Sequence, residues 1–411
     1  MRGVLIILDG VGDRPCRLLN GLSPLEAAKT PNLDWLAERS IMGTHQSRME
    51  GLPQSDEATI KLLGNDLSKQ KISRGIIEAV GAGIKLEKLG DYLAFRADFA
   101  TIDKKTRRII DRRVGRTLTS KEAKKLSEEI NKKVKLLFEF KITPTVQHRG
   151  VLVIKGNLSQ NISDTDPEYE MLEPYIQEAK PLDERIISKY TAELINYFTK
   201  KSSEVLEEHP INKERRRKGL LPANAIIMRG AGTKKPTLKN HSDWRSVNYM
   251  PVERGIAILS GMKTTTFQYP KIHGEDVYKT LHEGLKKACK VATITLDQTK
   301  EKYLYIHIKE TDIPGHDGNP YEKKKMLEEI DELLMGKIKE LVKEKGIKVI
   351  ITGDHATPCE MKGHSKDQVP IMLIKTSSHH KTGRRFNEKE AKKGELGMIH
   401  SEKLLEVCEF S

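Results

Sequence analysis

Residues 351–364 read ITGDHATPCEMKGH, and the fold prediction starts from this stretch. An apolar run over residues 347–351, interrupted only by Lys348, leads to Asp354 and His355, and His364 follows nine residues after His355. This pattern predicts a buried strand whose carboxyl end carries a carboxylate and an imidazole. In open α/β sheets, ligands bind at that end of the strands. We therefore expect functional side chains along one edge of a sheet.

Three other segments place similar side chains at a predicted strand end or helix start. The strand-like runs over residues 4–8 and 303–308 both lead to acidic residues, and a serine precedes the helical stretch over residues 57–63. Together the four segments carry Asp9, Ser55, Asp312, His316, Asp354, His355 and His364. Carboxylates mixed with neutral imidazoles suit zinc or manganese better than magnesium or calcium. The set predicts a site for two metal ions.

Ser55 is the candidate nucleophile of this site. A serine hydroxyl is a weak nucleophile at neutral pH and needs a base or a metal ion to activate it. Two cations about 4 Å apart would activate it and offset the charge of a phosphoryl group. The alternative is that Ser55, or the neighbouring Asp56, only caps the helix. Because Pro314 and Gly315 separate Asp312 from His316, we expect that segment to form a loop.

Length and composition indicate a globular protein of two or three domains. The chain has 411 residues, of which 37% are hydrophobic and 32% charged, and no apolar run approaches the roughly 18 residues of a membrane span. Four cysteines occur without CxxC spacing, which favours a reducing, cytoplasmic setting over a disulfide framework or a zinc ribbon. We therefore expect a cytoplasmic protein that does not act at a membrane.

The net charge of +14, from 72 basic and 58 acidic residues, is compatible with several partners. A basic protein can bind nucleic acid, an anionic membrane surface or a small phosphorylated substrate. The alternative is a Lys- and Glu-rich surface of the kind found in hyperthermophiles. Only residues 213–218, KERRRK, form a tight basic run, and no aromatic residue interleaves with it. We therefore expect no nucleic-acid partner.

The order of the predicted elements indicates an α/β fold with an insertion. Apolar runs alternate with helical stretches at both ends of the chain, which predicts a doubly wound, mainly parallel sheet. Its later strands would include residues 225–228, 255–259 and 291–296. A hairpin, a helix over residues 120–133 and further strands predict a smaller α+β unit, and residues 165–181 a linker back from it. We therefore predict a core of residues 1–84 and 171–411 and an inserted domain of residues 85–170.

Basic side chains concentrate in the inserted domain. Forked guanidinium groups suit bidentate binding of phosphate or carboxylate. The alternative is a solvated face of a basic domain. The candidate substrate-binding residues of this region are Arg96, Asp111, Arg113, Arg116, His148 and Arg149. Among them, His148 and Asp111 are also candidates for moving protons.

Several segments carry a resemblance to a known family. They read LDGVGDRP, GLPQSD, RGIIEAVGAGI, FRADFATID, IDRRVGR, HRGVLVIKG, KGLLPANAIIMRGAG, TDIPGHDG and TGDHATPCEMKGHS. In this order they resemble cofactor-independent phosphoglycerate mutase, which needs no 2,3-bisphosphoglycerate. The similarity is to its archaeal branch, within the alkaline phosphatase superfamily, and it extends over nearly the whole chain.

The resemblance implies an alkaline phosphatase-like core and two divalent cations, Mn²⁺ or Zn²⁺, with Mg²⁺ or Co²⁺ also compatible. It implies one cation held by Asp9, Ser55, Asp354 and His355, and a second held by Asp312, His316 and His364. Ser55 would take the phosphoryl group of 3-phosphoglycerate and return it to the 2-hydroxyl, a step of glycolysis and gluconeogenesis. The inserted domain would hold the glycerate meanwhile. We expect a monomer or a small homo-oligomer.

The chain departs from the family pattern in four places. Gln54 stands where the family usually has glycine, and residues 64–67, residues 73–79 and the segment after Met262 also differ. The open alternative is therefore a phosphatase or phosphotransferase that acts on another small phosphorylated metabolite. A mutase and these alternatives differ in the acceptor of the phosphoryl group. A mutase must keep water away from the phosphoenzyme so that the glycerate is the acceptor.

Overall fold

The structure is a computed structural model that describes residues 1–46, 52–70, 72–167, 174–271, 276–375 and 383–410. Its strands form one sheet of eight and one of five. The strands are β1 (Gly3–Leu8), β2 (Ile41–Gln46), β3 (Tyr92–Ile102), β4 (Ile109–Asp111), β5 (Phe140–Pro144), β6 (Gly150–Lys155), β7 (Ala225–Gly232), β8 (Trp244–Val247), β9 (Lys263–Thr265), β10 (Tyr303–Ile308), β11 (Lys348–Thr352), β12 (Val369–Ile374) and β13 (Gly397–His400).

Fourteen α-helices accompany the sheets in the described part of the chain. They are α1 (Pro24–Ala27), α2 (Pro31–Ala37), α3 (Ser55–Leu62), α4 (Arg74–Gly81), α5 (Ser120–Lys133), α6 (Ile186–Glu207), α7 (Pro210–Arg217), α8 (Pro251–Leu259), α9 (Val277–Gln298), α10 (Asp312–Asp317), α11 (Pro320–Ile330), α12 (Gly336–Lys345), α13 (Glu388–Ala391) and α14 (Leu404–Val407). Within the described ranges, no helix combines the length and the apolar character that a membrane crossing needs.

The larger sheet is mainly parallel, as predicted. Its strand order is β13-β2-β12-β11-β1-β10-β8-β9, and only β12 runs antiparallel to its neighbours. The central strand β1 is buried along its whole length. Val4, Ile6 and Leu8 enter the hydrophobic core on one face, and Leu5 and Ile7 enter the core on the other. A strand covered on both faces is apolar without alternation, which is why its sequence reads as a continuous run.

The smaller sheet is antiparallel and confirms the separate α+β unit. Its order is β4-β3-β6-β5. Strand β7 also pairs with β3, in antiparallel orientation over residues 94–100. The prediction that residues 225–228 belong to the main sheet is wrong, because Ile226 and Met228 pack with Phe99 in the second core. Alternation of apolar residues predicts a strand but not the sheet that it joins.

The extent of the inserted unit follows from these pairings. Helix α6 packs in the second core through Ile195 and Phe198, and β7 completes the second sheet. We therefore propose that the inserted unit continues to about residue 232, as the end of β7 marks, instead of ending at residue 170. The predicted boundary itself falls in residues 168–173, outside the described residues, as does that part of the predicted linker.

Three predicted elements have a different secondary structure. Residues 255–259 lie in α8 and residues 291–296 lie in α9, so both apolar runs are helical. A short apolar run cannot be assigned to strand or buried helix by periodicity alone. The loop expected between Asp312 and His316 is helix α10. Pro314 is tolerated there because it lies in the first turn, where a backbone N–H has no acceptor within the helix.

Candidate active site

The ends of three adjacent strands bring the predicted carboxylates together. β1 pairs in parallel with β10 on one side and with β11 on the other, so their carboxyl ends lie side by side. Asp9 follows β1, Asp312 follows β10 and Asp354 follows β11. The backbone N–H groups of Gly10 and His355 each donate to Oδ1 of Asp354 at 3.1 Å. The loop backbone therefore holds this carboxylate at the edge of the sheet.

The first group of side chains is Asp312, His316 and His364. Nε2 of His316 lies 3.4 Å from Oδ2 of Asp312, and Nε2 of His364 lies 3.9 Å from Oδ1 of the same residue. The i,i+4 spacing on α10 directs Asp312 and His316 to one side of the helix. One donor atom from each of the three residues lies within 4.8 Å of the others. A single cation could contact all three.

The second group surrounds Ser55. Nε2 of His355 lies 3.5 Å from Oδ1 of Asp9, 3.5 Å from Oδ2 of Asp354 and 3.1 Å from the hydroxyl oxygen of Ser55. The alternative that Ser55 caps α3 is wrong, because Gln54 occupies the N-cap and makes no side-chain capping bond. Ser55 is instead the first helical residue, and its hydroxyl contacts the imidazole of His355.

Hydrogen bonds fix which nitrogen each histidine presents to the cluster. Nδ1 of His364 lies 2.6 Å from the carbonyl oxygen of Pro53, which can only accept, so Nδ1 carries the proton. Thr357 donates its hydroxyl to Oδ1 of Asp312 at 2.7 Å, so it accepts from Nδ1 of His355 at 3.1 Å. Both imidazoles therefore direct the lone pair of Nε2 at the carboxylates. This arrangement of an outer partner on one nitrogen is the usual one for metal-ligating histidines.

The protonation states agree with cation binding. Burial lowers the pKa of His355 to about 3, so its imidazole is neutral at pH 7. Burial also lowers the pKa of His364. Burial opposes ionisation of Asp312, but the neighbouring His316 outweighs it and holds the pKa of Asp312 well below the usual value. Neutral imidazoles and ionised carboxylates are the forms that ligate metal ions.

One buried oxygen tests whether the site fits a cation. Oδ1 of Asp9 is buried and has no hydrogen-bond partner among the described residues. A buried carboxylate oxygen without a donor is costly unless a cation compensates it. Asp9, Asp312 and His355 form a further set of donor atoms within 4.8 Å of one another. The donor set therefore fits divalent metal ions.

Two residues at the end of β10 belong to the site and were not predicted. Lys309 contacts Oδ2 of Asp9 and lies 3.0 Å from Oε1 of Glu253. Nε2 of His307 lies 3.2 Å from Oδ2 of Asp9, and its Nδ1 contacts the Tyr305 hydroxyl at 2.6 Å. The available signal was a histidine within an apolar strand and a lysine directly after the end of that strand.

A cavity of about 610 Å³ extends from this cluster to the inserted unit. Five of the six predicted substrate residues line it, namely Arg96, Arg113, Arg116, His148 and Arg149. Asp111 does not line it, because its carboxylate accepts from the backbone N–H groups of Arg113 and Gly115 at 2.7 and 2.8 Å. Asp111 stabilises the turn that carries the arginines. Arg74, Arg112 and Arg229 also line the cavity and add to its positive charge.

The cavity arginines differ in what they already contact. Arg96 donates to Glu78 at 2.9 Å and to Asp98 at 2.7 Å. Arg116 forms two hydrogen bonds with Asp317, at 2.6 and 2.7 Å. The guanidinium of Arg149 makes no hydrogen bond or ion pair with any described residue, and burial and the charge of Arg96 lower its pKa. An anion in the cavity could therefore pair with the Arg149 guanidinium without displacing an acidic partner among the described residues.

His148 lies beside these arginines. Its side chain is 3% exposed, and its Nδ1 has no hydrogen-bond partner among the described residues. Burial, together with the charges of Arg149 and Arg113, lowers its pKa well below the usual value. The imidazole is therefore neutral and can accept or donate a hydrogen bond to a ligand in the cavity.

An α/β fold with carboxylates and neutral imidazoles around a serine hydroxyl is typical of metal-dependent enzymes that act on phosphoryl groups. A sequence model of 2,3-bisphosphoglycerate-independent phosphoglycerate mutase matches residues 37–212. Relatives with that name from Pyrococcus abyssi and Aeropyrum pernix are 38% and 36% identical, over 99% and 97% of this chain and 96% of each relative. This chain therefore belongs to the 2,3-bisphosphoglycerate-independent phosphoglycerate mutase family.

Solved structures agree with this assignment. A Pyrococcus horikoshii protein is 29% identical with a TM-score of 0.75, over 100% of this chain and 98% of that chain. A cofactor-independent phosphoglycerate mutase from Thermoplasma acidophilum is 28% identical with a TM-score of 0.57, over 100% of this chain and 99% of that chain. The likeness extends over both sheets and is not confined to the core.

Proposed function

We propose that this chain interconverts 3-phosphoglycerate and 2-phosphoglycerate through a phosphoserine at Ser55. The observation that carries the proposal is the position of the Ser55 hydroxyl. It lies 3.1 Å from Nε2 of His355 and lines the same cavity as Arg149. A nucleophile, a set of metal donors and an uncompensated guanidinium thus share one enclosed space. The site can hold a phosphoryl group at one end and the glycerate carboxylate at the other.

Each group at the nucleophile has a distinct task in this reaction. Bound divalent cations would lower the pKa of the Ser55 hydroxyl and offset the charge of the phosphoryl group. Ser55 begins α3, so the free N–H groups of the first turn favour an anion beside its hydroxyl. Nε2 of His355 lies 3.1 Å from that hydroxyl, so a single cation could contact both. Lys309 contacts the carboxylates of both Asp9 and Glu253 and so holds Asp9 in place.

We assign the metal ligands in two sets. Asp9, Ser55, Asp354 and His355 would hold one cation, and Asp312, His316 and His364 would hold the other. Zn²⁺ or Mn²⁺ suits this mixture of oxygen and nitrogen donors best. Mg²⁺ and Co²⁺ remain compatible with the carboxylates, and no bisphosphoglycerate is needed because Ser55 itself carries the phosphoryl group.

The inserted unit would hold the glycerate while the phosphoryl group is on Ser55. Arg149 would bind its carboxylate, because Arg96 and Arg116 already have acidic partners. His148 is neutral and close to these arginines, so it is the better candidate for moving the hydroxyl proton. Asp111 is the weaker candidate, because it does not line the cavity and its Oδ1 accepts two backbone hydrogen bonds.

The state of the cysteines supports a proposal about the cellular setting. All four cysteines are free and buried, as expected in a reducing compartment. We propose that the enzyme acts in the cytoplasm, in glycolysis or gluconeogenesis, as a monomer or a small homo-oligomer.

The decisive experiment replaces the nucleophile. Ser55→Ala should abolish formation of 2-phosphoglycerate from 3-phosphoglycerate in the presence of Mn²⁺, and the protein should no longer be labelled with phosphate. Ser68→Ala, an exposed serine six residues after the end of α3, is the control and should retain full activity. Turnover that persists in Ser55→Ala would refute the phosphoserine route. Wild-type enzyme that yields only free phosphate would instead identify a phosphatase.

A further inference from the structure

The cavity has a second face that differs from the arginine face. Its apolar lining comes from Met250, Pro251, Val252, Leu281 and Ile313, together with the ring of Tyr269. Met250, Tyr269, Leu281 and Ile313 belong to one hydrophobic cluster. A phosphorylated three-carbon acid has almost no apolar surface to bury against such a face. Apolar walls offer water no hydrogen bonds, and a closed apolar face keeps water out of a reacting site. Water exclusion is therefore the physical effect that this face can supply.

Tyr269 is the member of this face that is held most firmly. Its hydroxyl donates to Oε1 of Glu310 at 3.0 Å. Its ring stacks on Tyr249 with centroids 5.8 Å apart and planes at 14°, and Tyr249 in turn stacks on Phe267 at 4.5 Å. The Tyr249 hydroxyl donates to Oε2 of Glu310 at 2.6 Å. The two tyrosines thus occupy both oxygens of a carboxylate that lies two residues before Asp312.

Gly284 leaves the space that the ring of Tyr269 occupies. A Cβ atom at this position would lie 2.3 Å from the hydroxyl oxygen of Tyr269 and 2.4 Å from its Cζ. Glycine inside a helix costs about 1 kcal/mol relative to alanine, and Gly284 lies in the middle of α9. The close approach of the Tyr269 ring accounts for it. A methyl group there would push the ring from behind, without changing any side chain that lines the cavity.

We infer that Tyr269 determines how the phosphoserine divides between its two possible acceptors. In transfer, a hydroxyl oxygen of the glycerate bonds to phosphorus, the bond from phosphorus to the Ser55 oxygen breaks, and Ser55 regains a proton. In hydrolysis, a water oxygen takes the place of the glycerate hydroxyl, and inorganic phosphate leaves. Tyr269 favours transfer by keeping water from the phosphoryl group. This inference rests on the proposed function of Ser55.

Tyr269 lies in the segment between β9 and α9. Residues 263–271 follow Met262 and supply Phe267 and Tyr269. The aromatic stack of Tyr269, Tyr249 and Phe267 therefore reaches the cavity through Tyr269. Its contacts with Glu310 link it to the loop between β10 and α10, which carries Lys309 and Asp312.

The test measures two products in the same sample. Wild-type enzyme and variants are incubated with 3-phosphoglycerate and Mn²⁺, and both 2-phosphoglycerate and inorganic phosphate are assayed. Tyr269→Ala should raise the ratio of phosphate to 2-phosphoglycerate at least about tenfold, equivalent to about 1.4 kcal/mol in relative barrier height. Tyr269→Phe retains the ring and should stay close to the wild-type ratio. Tyr197→Ala, at a tyrosine that is 46% exposed on α6, is the matched control and should leave the ratio unchanged.

Gly284→Ala tests the inference independently of the cavity lining. It should raise the same ratio, because the ring of Tyr269 must move, while the kcat for mutase turnover falls less than in Tyr269→Ala. An unchanged ratio in Tyr269→Ala would overturn the inference. If Tyr269→Ala does not fold, an unchanged ratio in Gly284→Ala would overturn it instead. Failure of the wild-type enzyme to form 2-phosphoglycerate would contradict the proposed function and not the role of Tyr269.

Discussion

Gly10 allows the metal site to be disturbed from the backbone without removing a single ligand. It follows Asp9 with φ of +59°, a conformation that side chains rarely adopt. A Cβ atom at Gly10 would lie 2.5 Å from Oδ1 of Asp312 and 2.6 Å from Oγ1 of Thr357. In Gly10→Ala the carboxylate of Asp312 must therefore move. Because metal–ligand distances tolerate only about 0.2 Å of change, this movement should weaken cation binding.

The expected effect has two parts that a control variant separates. Gly21 also has a positive φ, +79°, but a Cβ there would meet nothing within 4 Å. Gly21→Ala should cost only the backbone strain, about 1–2 kcal/mol of folding free energy. Gly10→Ala should show a similar strain and, in addition, a loss of metal affinity of about 10- to 100-fold, as for other changes just outside the ligands.

Calorimetric titration of metal-depleted protein with Mn²⁺ measures the affinity, and thermal melting in a chelator measures the strain. Gly10→Ala should bind Mn²⁺ more weakly than Gly21→Ala, although their melting temperatures in the chelator are comparable. Equal Mn²⁺ affinities in the two variants would refute the reasoning, because a Cβ atom at residue 10 would then not affect the position of the Asp312 carboxylate.

Three further predictions concern other parts of the molecule. Arg149→Ala should raise the KM for 3-phosphoglycerate at least about tenfold, the effect of losing about 1.4 kcal/mol of binding, while Arg217→Ala, 78% exposed, should leave it unchanged; equal KM values would contradict the assignment. Lys323→Met should lower the free energy of unfolding by about 3–5 kcal/mol, because it leaves buried Asp13 without the ammonium 2.8 Å away, and adding Asp13→Asn should restore part of the loss. Burial lowers the pKa of His45 from 6.5 to about 4, so the unfolded chain binds more protons between these values. The free energy of unfolding should fall as pH falls through that window, by about 1.4 kcal/mol per pH unit. Urea denaturation at several pH values should show that the free energy of unfolding of His45→Asn depends less on pH. The same pH dependence in wild type and variant would contradict the assignment.

The sequence predicted that Asp9 and Asp354 lie close together, because the rule behind this prediction is local. Asp9 and Asp354 each follow an apolar run directly, and parallel strands deliver their carboxyl ends to one edge. The prediction was wrong for α10, because the rule that proline ends a helix does not apply in the first turn. The error concerned the secondary structure of the segment and not the proximity of Asp312 and His316. Asp312 and His316 contact each other on a helix as they could have done in a loop.

The residues that the sequence did not reveal depend on neighbours from distant segments. Lys309 has a role because Asp9 and Glu253 approach it from two other elements. Tyr269 has one because Gly284 leaves room for its ring. A lysine after a strand and a glycine in a helix are common in any sequence. Their meaning depends on tertiary contacts that periodicity does not encode.

The arginines of the inserted unit also acquire different roles only through contacts that the folded chain makes. From sequence alone, every arginine of the inserted unit was equally available to an anionic substrate. In the folded chain, Arg96 and Arg116 have acidic partners from other elements, and these pairs offset much of their attraction for an anion. Arg149 has no such partner among the described residues, and its burial beside Arg96 makes its charge costly until an anion arrives. In the proposed reaction, an anionic substrate beside Arg149 would offset this unfavourable charge and so contribute to binding.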